Sequence, residues 1–367
     1  MSWPNRISCR LFLSVCIWQS GTVAQAQQPP NRVSATSKEN GNPPANDEPL
    51  LQDPALDSAR AFLRQNDPAS AEAATRNYLR EHPQSAEGHF FLAFILFREI
   101  SAKWLGSGNA RSESLLYRES DAYGDVAKFR DSKARESLAE FTAGAQFHVP
   151  SAFDLKIVAL DYILLKDYID ADRWLARSLK ENPRDAQAWY YLGRTKYSES
   201  QFPEAIQAYV QCLRLEPHNI QAETNVGLGY EALNQPDQAR QAFENAIAWE
   251  AENPAKDPGP FIELGHLYLN QNQPNEAVPP LLQAVSLFPE VSRAHKELGR
   301  AYRLLHRLPE AQAALERAVA LDPEAASLHC LLGQIYRQER LLAKATSEFD
   351  RCSALTEATQ ARPTGSQ

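Results

Sequence analysis

The 367 residues are too many for one ordinary hydrophobic core, so the chain divides into domains or grows by repetition. Its 43% apolar and 23% charged residues are ordinary for a globular protein. A net charge of −8 supplies no basic footprint, which argues against a general nucleic-acid role.

The first 26 residues read as a secretory signal. Arg6 and Arg10 give a positive start, Leu11 to Trp18 a short apolar run diluted by Ser14, and Ala24-Gln25-Ala26 a cleavage site that predicts a mature start at Gln27. The run is too short to span a bilayer as it stands. Two alternatives remain: an uncleaved N-terminal anchor, and a lipid on Cys16, for which Val15 is a poor preceding residue. No later segment is apolar enough to cross a membrane, so the expectation is an exported protein, periplasmic or secreted. Residues 27–51 are rich in Pro, Asn, Ser and Gln and read as a disordered linker.

Cleavage would leave Cys212, Cys330 and Cys352, which is no disulfide framework. Cys212 and Cys352 fall in a small, buried slot and read as packing residues. A Cys330–Cys352 bridge is the alternative in an oxidising compartment.

Beyond the linker, almost everything reads as helix. Residues 52–151 hold degenerate repeats. The first, 52–85, keeps Ala59, Ala71 and Pro83. The second is broken: its helices are predicted at Ala86 to Arg98 and Lys133 to His148, around an insertion at 99–132. That insertion carries Trp104, Tyr117, Tyr123 and Phe129. Its aromatics read as folding back onto the protein, with a binding face as the alternative.

From 152 to 359 the spacing becomes regular. Gly193, Gly227, Gly265, Gly299 and Gly333 recur at intervals of 34, 38, 34 and 34 residues. The units are 152–185, 186–219, 220–253, 258–291, 292–325 and 326–359, the long interval being an insertion, Pro254 to Asp257. In 186–219, Trp189, Leu192 and Gly193 share one helix face, Pro203 opens a second helix, and Ala205, Tyr209 and Cys212 line its inner side before Pro217. Neither helix can bury its stripe alone, so units must stack. Residues 360–367 read as a disordered tail.

Small, large and aromatic residues at these offsets resemble the tetratricopeptide repeat. The resemblance implies an all-α, right-handed superhelical solenoid of antiparallel helix pairs, with first helices lining a concave groove. It also implies a scaffold or peptide receptor with no catalytic centre. There are departures. Lys196 stands where Tyr is usual, and Glu223, His295 and His329 occupy the Trp slot, which implies less bulk there. Pro279-Pro280 inside a second helix predicts a bend or a late start at 274–280. No clearly polar helix follows 359, so the last unit must cap itself or meet a partner.

No HExxH, Cys-x-x-Cys, GxSxG or phosphate-cradling loop occurs, and no cofactor or metal is expected. His266, His295 and His329 lie in successive first helices; a metal site is weighed against helix surface. A sharper feature is the helix predicted from Ser292 to Leu308. Arg293, Lys296, Arg300, Arg303 and Arg307 are spaced 3, 4, 3 and 4 residues apart and so share one stripe. Gln334 and Arg337 extend it on the next first helix. This stripe is expected to bind an acidic segment or C-terminal carboxylate. The alternative is a solvated face neutralised by carboxylates such as Glu297 and Glu339. Tyr190, Arg194 and Tyr197 form a second candidate patch, with inter-repeat packing as its alternative.

The sequence therefore points to a non-enzymatic scaffold or receptor holding a protein or peptide in its groove. The alternatives are an envelope assembly factor acting through its outer face and insertion, and a hydrolase whose site is not recognised.

Overall fold

The computed structural model describes residues 53–105, 124–250 and 257–360; the signal and linker readings, and the tail reading beyond Gln360, lie outside them. Sixteen α-helices are described, preceded by a single 3-10 turn at Pro54–Leu56. They form eight consecutive pairs. The first four are α1 Asp57–Arg64 with α2 Pro68–Glu81, α3 Ala86–Leu105 with α4 Gly124–Gly144, α5 Ala152–Leu164 with α6 Tyr168–Glu181, and α7 Ala186–Ser198 with α8 Phe202–Leu215. The next four are α9 Ile220–Ala232 with α10 Pro236–Glu250, α11 Gly259–Asn270 with α12 Pro274–Leu287, α13 Ser292–Leu304 with α14 Leu308–Leu321, and α15 Ala326–Gln338 with α16 Leu342–Gln360. The architecture is the expected all-α solenoid.

Local chemistry sets where each helix begins and ends. Asp185 and Asn219 cap α7 and α9, each accepting the third backbone N–H at 2.9 Å. Within a pair, the first helix closes on a residue in the left-handed region: Asn66, Lys166, Ser200, Asn234, Asn272, His306 and Arg340, with φ between 56° and 63°. The next amide then returns to the carbonyl five residues back, as Gln235 to Tyr230 at 2.9 Å and Leu341 to Tyr336 at 2.8 Å. This six-to-one bond satisfies an orphan helix carbonyl and fixes the turn.

Pairing is close because the facing residues are small. A Cβ on Gly193 would lie 2.6 Å from the Tyr209 ring, and one on Gly227 would lie 2.4 Å from Phe243. The opposing Ala205, Ala239, Ala277 and Ala311 are fully buried.

The Trp slot has a meaning beyond bulk. Trp189 Nε1 donates to the Pro183 carbonyl at 2.9 Å. His89, His295 and His329 place Nε2 at 3.1, 3.0 and 2.9 Å from the carbonyls of Pro83, Pro289 and Pro323. A carbonyl only accepts, so each ring donates there. In these four units the slot holds an N–H donor that ties a first helix to the proline closing the previous unit, whereas Leu155 and Phe261 fill it with apolar bulk. Glu223 does neither and instead accepts from Asn245 at 2.8 Å. Burial holds the His295 imidazole below its usual pKa, as suits a neutral ring donating through Nε2.

One local expectation, the bend or late start at 274–280, is narrowed to exclude a late start, and another is corrected. α12 starts at Pro274 and continues through Pro279 and Pro280 to Leu287, with no late start. Both prolines lie early in the helix, so only the Asn275 and Glu276 carbonyls lose their intrahelical partners. The 99–132 stretch is also not all insertion: α3 extends to Leu105 and α4 starts at Gly124. Ile100 on the extension is buried with Ala134 and Leu164. Trp104 and Phe129 fall within these helices, whereas Tyr117 and Tyr123 lie outside the described residues.

Successive first helices from α3 to α13 touch one another, whereas second helices make no comparable contact among themselves. The array is therefore tighter along its first-helix side, and that side is concave. Its character changes along the chain. Phe90 to Leu96 of α3 are all buried, and so is most of α5, including Lys156 and Asp161. In α7, α9, α13 and α15 polar side chains on this side reach solvent, whereas α11 is again mostly buried, Glu263 included.

Candidate binding face

The basic stripe lies on α13, but its charge is largely matched. Arg293 makes a bidentate pair with Glu263 of α11, Nη1 to Oε1 at 2.6 Å and Nη2 to Oε2 at 2.8 Å. Arg300 donates to Glu297 at 2.5 Å, and Lys296 lies 3.8 Å from the same carboxylate. Glu263 and Glu297 are buried, so these cations offset the cost of desolvating two carboxylates. The acids are as much part of this site as the arginines.

Arg307 does not continue the stripe. His306 turns left-handed with φ 57°, α13 ends at Leu304, and Arg307 becomes the residue before α14. Its guanidinium lies over the Tyr302 ring, 4.5 Å from the centroid, and bonds Glu310 at 3.0 Å. The predicted helix to Leu308 thus ran one turn too far, because the following turn is set by backbone geometry rather than by charge spacing.

Arg303 differs from the others. Among the described residues it makes no hydrogen bond or ion pair, and its Nε is buried without a partner. On α15, Gln334 is half-buried, and Arg337 is exposed with its guanidinium 5.5 Å from the centroid of Phe349. Glu339, weighed from sequence as a neutralising acid, leaves one buried carboxylate oxygen unpartnered.

The Tyr190 patch comes together only in part. Arg194 lies over the Tyr190 ring at 5.7 Å, and Asn225 of α9 donates to the Tyr190 hydroxyl at 3.3 Å. Burial pushes the Tyr190 phenol above its usual pKa. Tyr190 and Tyr197 both pack against the core cluster of Ile206, Tyr209 and Val226, Tyr197 also against Phe202, as the inter-repeat packing alternative expected. Lys196 reaches Asp172 of the preceding second helix at 2.9 Å, much as Tyr336 donates to Glu316 at 2.7 Å. Lysine can thus stand where Tyr is usual because both engage an acid on the neighbouring unit, Lys196 as an ion pair and Tyr336 as a hydrogen-bond donor.

The three histidines do not converge. His266 lies 3.8 Å from Glu231, His295 bonds a carbonyl, and His329 bonds a carbonyl and Glu348. No group of three metal-capable side chains occurs among the described residues.

Other charged groups went unnoticed in the sequence. Lys133 of α4 bonds Glu72 of α2 at 2.7 Å and Glu99 of α3 at 2.8 Å, while Arg76 bridges Glu72 and Glu136. Against burial, which raises it, bonds from Lys133, Glu99 and Arg76 draw the Glu72 pKa down to about 2. Asp161 is fully buried, with Ser137 Oγ 2.5 Å from it and 3.0 Å from the Ala93 carbonyl. Its pKa is raised well above the ordinary carboxylate value by burial. Only an aspartate inside an otherwise apolar helix pattern could have signalled it.

The fold and its concave face define a helical-repeat solenoid. Family models described as tetratricopeptide repeat match residues 186–219, and 56–99 with 262–311; one described as TPR repeat matches 299–338. The chain is a tetratricopeptide-repeat protein. It is 28% identical over 129 residues to the tetratricopeptide repeat-containing protein trd-1 of Caenorhabditis elegans, covering 31% of this chain and 17% of that one. It is 26% identical over 129 residues to the protein O-mannosyl-transferase TMTC3 of Homo sapiens, covering 32% and 14%. It is 30% identical over 81 residues to the PEX5-related protein of Mus musculus, covering 22% and 14%. The matches thus span 14–17% of these relatives. Among solved structures, MamA is similar with TM-score 0.40 at 20% identity over 46% of this chain and 96% of its own. The Cut9-Hcn1 hetero-tetramer is similar with TM-score 0.49 at 17% identity over 82% and 72%. YrrB, titled a TPR protein with an unusual peptide-binding site, is similar with TM-score 0.39 at 21% identity over 52% and 93%. Proteins of this family typically mediate protein–protein interaction. No helix among the described residues is long and apolar enough to cross a membrane.

Proposed function

We propose that the protein is an exported binding scaffold without chemistry of its own. Its concave face from α7 to α15 holds an extended segment of another protein. The C-terminal end of that face takes a carboxylate, from an acidic side chain or a free C-terminus. The observation that carries this reading is Arg303: its neighbours Arg293, Lys296 and Arg300 are matched to protein carboxylates, and it is not. A planar guanidinium whose terminal amino groups have no protein carboxylate to bond among the described residues suits both oxygens of a carboxylate. Gln334 and Arg337 would supply further donors from α15, and Tyr190 with Arg194 an aromatic contact further along the face. Export is supported by the Cys330–Cys352 bridge, since such bonds persist in oxidising compartments.

The test is binding of a fluorescent hexaglutamate peptide to the full chain, with a free or an amidated C-terminus. Arg303→Gln should weaken binding roughly tenfold or more, the loss expected for one charge-assisted bond. The free acid should bind more tightly if the terminal carboxylate is read. Equal affinity of parent and Arg303→Gln would refute the acidic-segment reading. Arg300 is unsuitable as the probe, because removing it leaves buried Glu297 without its closest cation.

A further inference from the structure

The last helix pair is held differently from the others. In the small slot of the second helices, Cys212, Ala246, Ala284 and Ala318 are buried with no measurable exposure and no covalent tie. In α16 this slot is Cys352, bonded to Cys330 of α15, with their Cα atoms 5.4 Å apart. Cys330 occupies the register of Lys296 on α13, the side of the first helix that carries the candidate binding residues. The bridge therefore joins the end of the concave face to the last described helix.

That helix has less to hold it. Inner second helices are covered by the next first helix: Val278 and Val285 of α12 and Val319 of α14 pack into the core. At the registers of Val278 and Val285, α16 carries Thr346 and Ser353, both exposed. No described helix lies over α16, and four of its side chains are tied to α15 or to the turn before α15. His329 bonds Glu348 at 2.6 Å, Arg337 lies over Phe349, Lys344 lies over Tyr336, and Arg351 bonds Glu324 at 2.6 Å.

We propose that the Cys330–Cys352 bond is a redox clasp for the C-terminal end of the binding face. Closed, it keeps α16 on α15 and holds Gln334 and Arg337 in place. Opened by a dithiol, it lets the terminal pair fray while α5 to α14 stay folded, because each repeat depends mainly on its neighbours. The step balances. A thiolate of the dithiol attacks the half-buried Cys330 sulfur, the S–S bond breaks, and Cys352 leaves as a thiolate and takes a proton. The second thiol then displaces Cys330, so the reductant ends as a disulfide and both cysteines as thiols. The link to binding rests on the reading of the concave face given above; the clasp itself does not.

The experiment is native-state hydrogen exchange on the full chain, oxidised and after dithiothreitol. The bond closes a loop with a sequence separation of 22, so opening it should speed exchange in α16 and the end of α15 on the order of a hundredfold. Exchange in α7 to α10 should not change. Cys352→Ala is the second probe: alanine already fills this slot in α14, so the variant should fold and exchange like the reduced protein. Equal exchange in both redox states, loosening spread over the whole array, or Cys330 and Cys352 both found as free thiols in the oxidised protein would overturn the clasp. Hexaglutamate affinity should fall at least about fivefold on reduction, about 1 kcal/mol by the usual conversion. A peptide bound by neither state counts against the acidic-segment reading alone, and the exchange data still decide the clasp.

Discussion

Gly227→Ala tests whether close approach, rather than backbone flexibility, explains the glycine period. The new Cβ would lie 2.4 Å from Phe243 Cε1 and 2.7 Å from Cδ1. Comfortable carbon contacts are about 3.5–4.0 Å. The Phe243 ring is fully buried among Leu264 and Leu267 and has no free volume to enter. Overpacking of this kind costs about 1–3 kcal/mol, and the gain in helix propensity on replacing glycine is about 1 kcal/mol. With two contacts this short, the net is a loss of about 1–2 kcal/mol. Gly333→Ala supplies the contrast. Its Cβ would come no nearer than 2.9 Å to Phe349, a half-buried ring beside an uncovered helix face. There the ring can yield, so propensity should win and the change should be neutral or slightly stabilising. Urea unfolding followed by circular dichroism gives the overall sign. Hydrogen exchange in α9 and α10 gives the local one, since a repeat array need not unfold as a single two-state unit. A stable Gly227→Ala protein, or equal losses at both sites, would refute the argument.

Arg340→Asn should stabilise the last pair by about 0.5–1 kcal/mol in thermal melts, because Arg340 sits at φ 63°, where asparagine is better tolerated. His295→Phe should cost about 1 kcal/mol in urea unfolding through loss of the bond to Pro289, while His295→Trp should retain that bond as Trp189 does. Asp161 keeps its proton in the folded chain to a higher pH than in the unfolded one, so stability should fall as pH rises from about 4 through the raised pKa. Asp161→Asn, which can still donate to Ser137, should flatten that fall; an unchanged pH profile would show the acid to be ionised in place.

Much of the fold was legible because its determinants are local. Gly193, Ala205 and Tyr209 lie within one unit, and their spacing alone states that two helices must approach closely. The turns left a trace too: Asn66, Asn234 and Asn272 occupy the same register, and reading asparagine as a left-handed residue would have ended α13 before Arg307. The histidines of the Trp slot were misread as a loss of bulk, because the slot's partner is a backbone carbonyl, invisible in any residue pattern.

The sequence by itself determined the period, the helix pairs and the stripe on which Arg293, Lys296, Arg300 and Arg303 lie, since these follow from the helical repeat along one element. Only the tertiary structure decided which of those charges are matched. Glu263 reaches Arg293 across a separation of 30 residues, and Cys330 meets Cys352 across 22. Such partners are chosen by how one unit stacks on the next, and that stacking angle is set by packing of whole faces, which no single spacing encodes.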